Sequence, residues 1–261
     1  MTQHFYSQHG EDFLLNEIFK NKQNGFFVEV GCIDGRRFSN SLTFEEKGWK
    51  GLCVEAHNDY IDLLKKNRPH SIICHCAASD HDEDNVTFYA NKRGSLSTLD
   101  KTMENTFKDK YGEYFSGFDE QTVNIRRLDT LFKENNVTNI DFMSLDIEGH
   151  ELEALKGLNF NKYKPTVIVV ESDSQKHEQA LDNLLLNNGY CKGTRLNQNI
   201  FYITDQSLSN NIANKQFNVE LIHTRHPVDK GEDAYYKSTI NTIEQPENLI
   251  PKLLRKLRLH K

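Results

Sequence analysis

No apolar run in the 261 residues approaches the roughly 18 needed to cross a bilayer, so no membrane-spanning helix is expected. The opening residues, Met1-Thr2-Gln3-His4-Phe5-Tyr6, lack a basic start and an apolar stretch, so no secretory signal is expected and the location read is cytoplasmic. Positive charge is in short supply: 32 Lys and Arg face 38 Asp and Glu, a formal net charge of −6. Non-specific nucleic-acid binding is driven by neutralising phosphates, so no nucleic-acid partner is expected. Cysteines are few and odd in number: Cys32, Cys53, Cys74, Cys76 and Cys191. Four sit in apolar, strand-like runs, which reads as reduced core thiols rather than a disulfide framework. Cys74-His75-Cys76 is too tightly spaced for a zinc knuckle, and strand alternation turns His75 away from both thiols. There is no internal repeat.

What remains is a soluble globular composition, 37% hydrophobic and 27% charged, long enough for one domain with an extension. Short apolar runs alternate with amphipathic segments. Strands are expected at 26–30, 51–55 and 71–76, with helices at 39–47 and 60–66 between them. Near-continuous apolar strands joined by helices imply a mostly parallel sheet covered on both faces, an α/β fold. A strand at 86–89 leads into a polar, glycine-bearing stretch, 91–120, read as an insertion or lid. A short strand at 123–125 precedes a helix from Asp129, its expected N-cap, to Asn135. Alternation resumes with a strand at 140–145, a helix at 151–156 ended by Gly157, a strand at 166–171 and a helix at 175–186. A hairpin near 190–203 closes the domain. The expected organisation is a domain over 1–204 and a polar extension over 205–261.

The segment Phe26 to Glu55 carries the first half of a site. Glu29-Val30-Gly31-Cys32-Ile33-Asp34-Gly35 follows a strand and precedes a helix, where open α/β sheets bind ligands. Gly31 and Gly35 are spaced as G-x-x-x-G, not the G-x-G-x-x-G that cradles a pyrophosphate, which argues against an NAD-dependent oxidoreductase. Glu55, ending the second strand, is placed to accept hydrogen bonds from ribose hydroxyls. Glu29, Asp34 and Glu55 crowd one edge with negative charge, which repels pyrophosphate and suits a sulfonium cation. In structural terms Glu29 and Asp34 can equally serve to cap and orient the loop.

The second half is Asp146-Ile147-Glu148-Gly149-His150-Glu151, again between an apolar strand and a helix. Group transfer to a hydroxyl needs a general base or a metal that lowers the hydroxyl pKa. His150 is the candidate base, with Asp146 and Glu148 orienting it. Asp146, Glu148 and Glu171 are candidate ligands for Mg or Mn, because carboxylates with one imidazole nearby suit either ion. Glu151 reads first as an acid stabilising its helix start.

These motifs together resemble the FkbM family of S-adenosylmethionine-dependent methyltransferases. The strings that carry the resemblance begin with Ser7 to Asp12, Phe27 to Gly35, Ser39-Asn40, Phe44-Glu45, Gly48 to Gly51 and Val54-Glu55. They continue with Ala77 to Ser79, Arg127 to Asp129, Asp141 to Glu151, Leu155 to Gly157 and Val169 to Glu171. The resemblance implies a Rossmann-like class I methyltransferase fold with S-adenosylmethionine as cofactor. It implies cofactor contacts from Gln8, Glu29, Gly31, Asp34, Gly35, Asn40, Glu55 and Asp146, with Ala78 and Ser79 beside the adenine. The lid and the extension carry no family motif. The function expected is O-methylation of a hydroxyl on a sugar or surface-glycan precursor. The rivals are a small natural product or nitrogen acceptor, and a cofactor-binding scaffold without catalysis.

Ile250, Leu253, Leu254 and Leu257 follow helical spacing among Lys252, Arg255, Lys256, Arg258 and Lys261. A basic amphipathic helix reads as a peripheral contact with the inner membrane face, or as a helix docked on its own domain or on a second copy in a homo-oligomer. His223-Thr224-Arg225-His226 has metal-like spacing but no helical setting, and is not read as a metal site.

Overall fold

The computed structural model describes residues 4–91, 95–210, 216–224 and 233–241. After helix α1 (Glu11–Ile18), the chain alternates β1 (Phe26–Val30), α2 (Leu42–Glu46), β2 (Lys50–Glu55), α3 (Ile61–Asn67) and β3 (Ser71–His75). A side excursion follows: β4 (Ala77–Ser79), β5 (Glu83–Ala90), α4 (Met103–Tyr111), β6 (Asp119–Arg127) and α5 (Leu128–Glu134). The main sheet then resumes with β7 (Phe142–Leu145), α6 (Glu151–Lys156), β8 (Val167–Glu171), α7 (Gln175–Asn187), β9 (Cys191–Leu196) and β10 (Asn199–Ile203). Last come α8 (Gln206–Asn210), β11 (Gln216–His223) and β12 (Ala234–Asn241).

Seven strands form the main sheet in the order β3-β2-β1-β7-β8-β10-β9. The first five pair in parallel, and β10 is inserted antiparallel between β8 and β9. Strand alternation splits the core into two layers. Val28, Val30, Leu52 and Val54 pack with Leu131, Leu155 and Leu181 of α5, α6 and α7. On the opposite face Phe27, Cys53 and Phe142 pack with Leu14, Phe44 and Leu64 of α1, α2 and α3. A sheet buried on both faces explains why its strands read as near-continuous apolar runs. All five cysteines are free; four are wholly or partly buried and Cys191 is exposed. His75 hydrogen-bonds Asn58 Oδ1 at 2.8 Å and is not joined to its flanking thiols.

Three expectations need correction. The helix read from Ser39 is confined to Leu42–Glu46, because Ser39, Asn40 and Ser41 turn inward to bond Glu29. Asp129 does not cap its helix: it lies inside the first turn of α5, and its Oδ1 accepts the Asn159 N–H at 2.8 Å. The chain beyond 204 is not uniformly irregular. β11 and β12 pair over eight register positions, and Val219, Leu221 and Ile240 join the main core. The hairpin also meets the amino-terminal segment, where the Ile222 N–H donates to the Phe5 carbonyl at 2.8 Å. The basic amphipathic helix and His226 lie outside the described residues. Among the described residues, no helix is long and apolar enough to cross a membrane.

The lid segment is partly structured. Leu96, Phe107 and Phe115 form a small core of their own, with Met103, Tyr111 and Phe118 packed against it. The companion sheet β4-β6-β5 stands beside the main one and presents Ser79 to α6.

Candidate active site

The strand following β1 lies on one side of it and the strand following β7 on the other. A crevice must therefore open above their carboxyl ends. Val30 and Leu145 are register partners, so the two motif loops leave the sheet side by side. Between them lies a cavity of about 310 Å³, walled by both loops, the amino-terminal segment and the lid. That volume suits a small-molecule ligand.

On one side the wall includes Gln8, Glu29, Gly31, Asn40, Glu55 and Ala78. On the other it includes Asp146, Glu148, His150 and Glu171. The two motif halves, about a hundred residues apart in sequence, thus share one cavity. Asp34, Gly35 and Ser79 are not in the wall. Asp34 Oδ1 instead accepts the N–H groups of Arg36 and Arg37 at 3.0 and 2.8 Å. Gly35 has φ +77°, and a Cβ there would come within 2.5 Å of Arg68 Cγ. Ser79 lies one layer back, its Oγ 2.9 Å from His150 Nε2.

Gly31 is needed by the protein before any ligand arrives. Its φ is +87°, and a Cβ would fall 1.9 Å from the Asp146 carbonyl oxygen. No side chain fits between the two loops.

Glu29 is a buried anchor. Its carboxylate accepts from Ser39 Oγ, the Asn40 N–H and Ser41 Oγ, and pairs with Arg68 Nη1 at 3.0 Å. Arg68, itself 1% exposed, also reaches Glu45 Oε2 at 2.7 Å and the Ser41 hydroxyl at 2.7 Å. The Arg68 charge depresses the Glu45 carboxyl against the opposing effect of burial. Arg68 was missed at the sequence level, where Lys65-Lys66-Asn67-Arg68 reads as an ordinary basic helix end.

Glu55 is pinned by two N–H donors, from Ile33 and His57, each at 2.7 Å. Burial pushes its carboxyl up to about 7, although these donors pull the other way. Asn40 is held by Nδ2, which donates to Ser144 Oγ at 2.8 Å. Its Oδ1 is buried with no protein partner, an acceptor left for something in the cavity.

The chemical side is crowded with acid. Burial raises Asp146, and the charge of Asp146 drives the half-buried Glu171 far above the usual carboxylate range. Burial and then Asp146 push Glu148 up to about 7. Glu148 is held in a left-handed conformation, φ +56°, and its Oε1 accepts the Leu96 N–H of the lid at 3.0 Å. Glu148 therefore does not join the three carboxylates that converge: those are Asp146, Glu151 and Glu171, with oxygens within 4.8 Å of one another. The sequence reading grouped Glu148, and not Glu151, with Asp146 and Glu171. Glu151 ties the loop, its Oε1 accepting the Ile147 and Gly149 N–H groups at 2.8 and 3.1 Å.

Burial lowers the pKa of His150, favouring a neutral imidazole. Ser79 Oγ donates to Asp80 Oδ1 at 3.3 Å, which makes it the acceptor for a His150 Nε2–H at 2.9 Å. That assignment leaves the imidazole lone pair on Nδ1. At the rim, Tyr111 and Tyr114 of the lid complete the wall, and Tyr114 is 72% exposed. Neither tyrosine carried a motif that sequence reasoning could have used.

The sheet order and a cavity above β1 and β7 are those of the Rossmann-like class I methyltransferase fold. Residues 21–191 match the family model described as the methyltransferase FkbM domain, and the chain belongs to that family. It is an S-adenosylmethionine-dependent methyltransferase. Among solved structures, the chain is similar to precorrin-6Y C5,15-methyltransferase from Geobacter metallireducens, at 9% identity and a TM-score of 0.41, covering 92% of this chain and 94% of that one. It is also similar to an O-methyltransferase from Bacillus cereus in complex with S-adenosylhomocysteine, at 12% identity and a TM-score of 0.41, covering 77% and 84%. No curated protein matches the sequence. The residues present fit the cofactor: an orphaned Asn40 Oδ1 suits a donor such as the α-ammonium, and Glu55 offers carboxylate lone pairs for ribose hydroxyls.

Proposed function

We propose that the enzyme transfers the methyl group of S-adenosylmethionine to a hydroxyl of a sugar or glycan precursor. The observation that carries this reading is a neutral imidazole, His150, held by Ser79 in the wall of the cavity that also holds Glu55 and Asn40. A sugar hydroxyl ionises poorly and needs such a base in reach when the sulfonium methyl is attacked in line. The hydroxyl proton passes to His150 Nδ1, and the Nε2–H to Ser79 bond keeps the imidazole in the tautomer that can take it. Two tyrosines at the rim suit a carbohydrate acceptor, since an aromatic face packs against the C–H face of a sugar ring while its hydroxyl stays wet. A panel of free sugars, glycosides, phenols and amines, assayed with labelled cofactor, tests the choice. Label entering glycosides supports it; label entering only phenols or amines overturns it. Binding of S-adenosylhomocysteine with no turnover on any class would point to the scaffold alternative.

Cofactor recognition by Glu55 has its own signature. With its carboxyl at about 7 in the free enzyme, Glu55 is largely protonated at pH 6. Ribose hydroxyls donate to the ionised form, so binding lowers this pKa and releases a proton below neutrality. Affinity is then complete above the free pKa and is lost as pH falls through it. Calorimetry should find S-adenosylhomocysteine about tenfold weaker at pH 6 than at pH 8, with protons released at the lower pH. Glu55→Gln should bind weakly with no slope. A pH-independent affinity in the wild type would remove Glu55 from the ribose.

A further inference from the structure

Two adjacent arginines follow Gly35, and the fold uses them differently. Arg36 turns to Asp233, its Nη2 2.9 Å from Oδ2. Arg37 lines the methyl-transfer cavity, and among the described residues of that wall there is no other lysine or arginine. The same wall carries the carboxyls of Glu29, Glu55, Asp146, Glu148 and Glu171. Such a wall favours the sulfonium and the α-ammonium of the cofactor and repels its α-carboxylate. That carboxylate shares a carbon atom with the ammonium, so whatever receives it must stand beside the group that receives the ammonium. Asn40, whose orphaned Oδ1 suits the ammonium, follows Arg37 in the same loop, and both residues line the cavity.

The guanidinium is held in place before any ligand arrives. The Arg37 N–H donates to Asp34 Oδ1 at 2.8 Å, which fixes the turn. Its guanidinium lies over the Phe38 ring, 4.3 Å from the ring centre. Phe38 has φ +55°, a left-handed backbone that a bulky residue keeps only where its surroundings enforce it. Those surroundings include Ser7, bridged to Phe38, and His223, whose ring meets the Phe38 ring edge-on at 5.4 Å. Arg37 Nη1 also donates to the Thr224 carbonyl at 3.3 Å. A guanidinium presents several N–H donors in a planar fork, so contact with the scaffold is compatible with contact to a carboxylate. We propose that Arg37 receives the α-carboxylate of S-adenosylmethionine, and that through it the site tells an intact methionine tail from a decarboxylated one. Phe38 and Thr224 are then positioning residues. Thr224 follows β11, beyond the residues 21–191 that match the family model, so the carboxy-terminal hairpin takes part in cofactor binding through Arg37. The assignment does not depend on which acceptor is methylated.

Calorimetry of the full-length protein with S-adenosylhomocysteine and with its decarboxylated counterpart, which keeps the adenosine, the sulfur and the amine, tests this without any acceptor. The wild type should prefer the carboxylated ligand by about ten- to a hundredfold, the worth of one charge-assisted bond. Arg37→Met should weaken S-adenosylhomocysteine by that factor, leave the decarboxylated ligand within about threefold, and so abolish the preference. Arg37→Lys, with a point charge in place of a fork, should keep only part of it, and Arg36→Met all of it. No preference in the wild type, or equal weakening of both ligands by Arg37→Met, overturns the assignment. A preference that survives Arg37→Met also overturns it, and would leave Arg37 to an anionic group on the acceptor. Should Arg37→Met fail to fold, as circular dichroism would reveal, Arg37→Lys decides: an undiminished preference overturns the assignment.

Discussion

Replacing Arg68 with methionine should destabilise the enzyme by about 3–5 kcal/mol, the usual cost of leaving a buried ion pair half removed. The variant strips the counter-charge from Glu29 at 3.0 Å and Glu45 at 2.7 Å, both of which stay buried. In a protein of this size, that corresponds to a fall in Tm of roughly 10 °C. Arg68→Lys should recover only part of the loss, because a single ammonium cannot reproduce the forked contacts to Glu29, Glu45 and Ser41. Adding Glu29→Gln and Glu45→Gln to Arg68→Met should restore stability, since no uncompensated charge is then left inside. Denaturant unfolding of the four proteins gives the comparison. A loss under about 1 kcal/mol for the single variant would mean that the network carries little of the fold. The same variant should weaken S-adenosylhomocysteine, because Glu29 holds the Asn40 N–H that fixes one wall of the cavity.

His150→Ala should lower kcat by about 10² to 10⁴ and leave cofactor affinity nearly unchanged, as expected for loss of a general base that does not hold the cofactor. Ser79→Ala should cost less, on the order of tenfold, because the imidazole remains but its tautomer is no longer fixed. Steady-state rates with a turned-over acceptor, together with calorimetry, separate the two effects. A His150→Ala enzyme within about threefold of wild type would pass the base role to another group. Tighter or weaker cofactor binding in step with kcat would mark His150 as a cofactor ligand.

Much of this arrangement was legible in the chain. Phe26–Val30 and Phe142–Leu145 are apolar but for Glu29 and Ser144 because both faces of the sheet are covered, and the polar turns after them could only project from its edge. The reading failed where side chains act across long separations. Nothing local to Arg68 says that it will be swallowed; the clue lies in Glu29 and Glu45, two acids on buried elements that require a cation. Asp34 and Gly35 belong to the motif yet serve the loop and not the cavity wall, since a motif records what a turn needs as well as what a ligand needs. Glu151 reads locally as an acid suited to a helix start. Only the fold shows its second oxygen facing His177 of α7 at 3.6 Å. The hairpin after residue 215 was overlooked although Phe217, Val219 and Leu221 alternate as a strand should. The alternation is short and stands in a stretch rich in Asn, Lys and Gln, which hides it in the average composition.

The missing side chain at Gly31 has a mechanical consequence. With the Asp146 carbonyl where a Cβ would stand, the backbones of the two motif loops lie too close for one to be rebuilt without the other. Re-cutting that floor would disturb the cavity wall that Gly31 and Asp146 form together. Variation is left to the roof, where the segment 91–120 has a small core of its own and hangs over the opening by Leu96, Tyr111 and Tyr114. Related enzymes that share this glycine should therefore differ in what they methylate by the build of their roofs, while their floors remain superimposable.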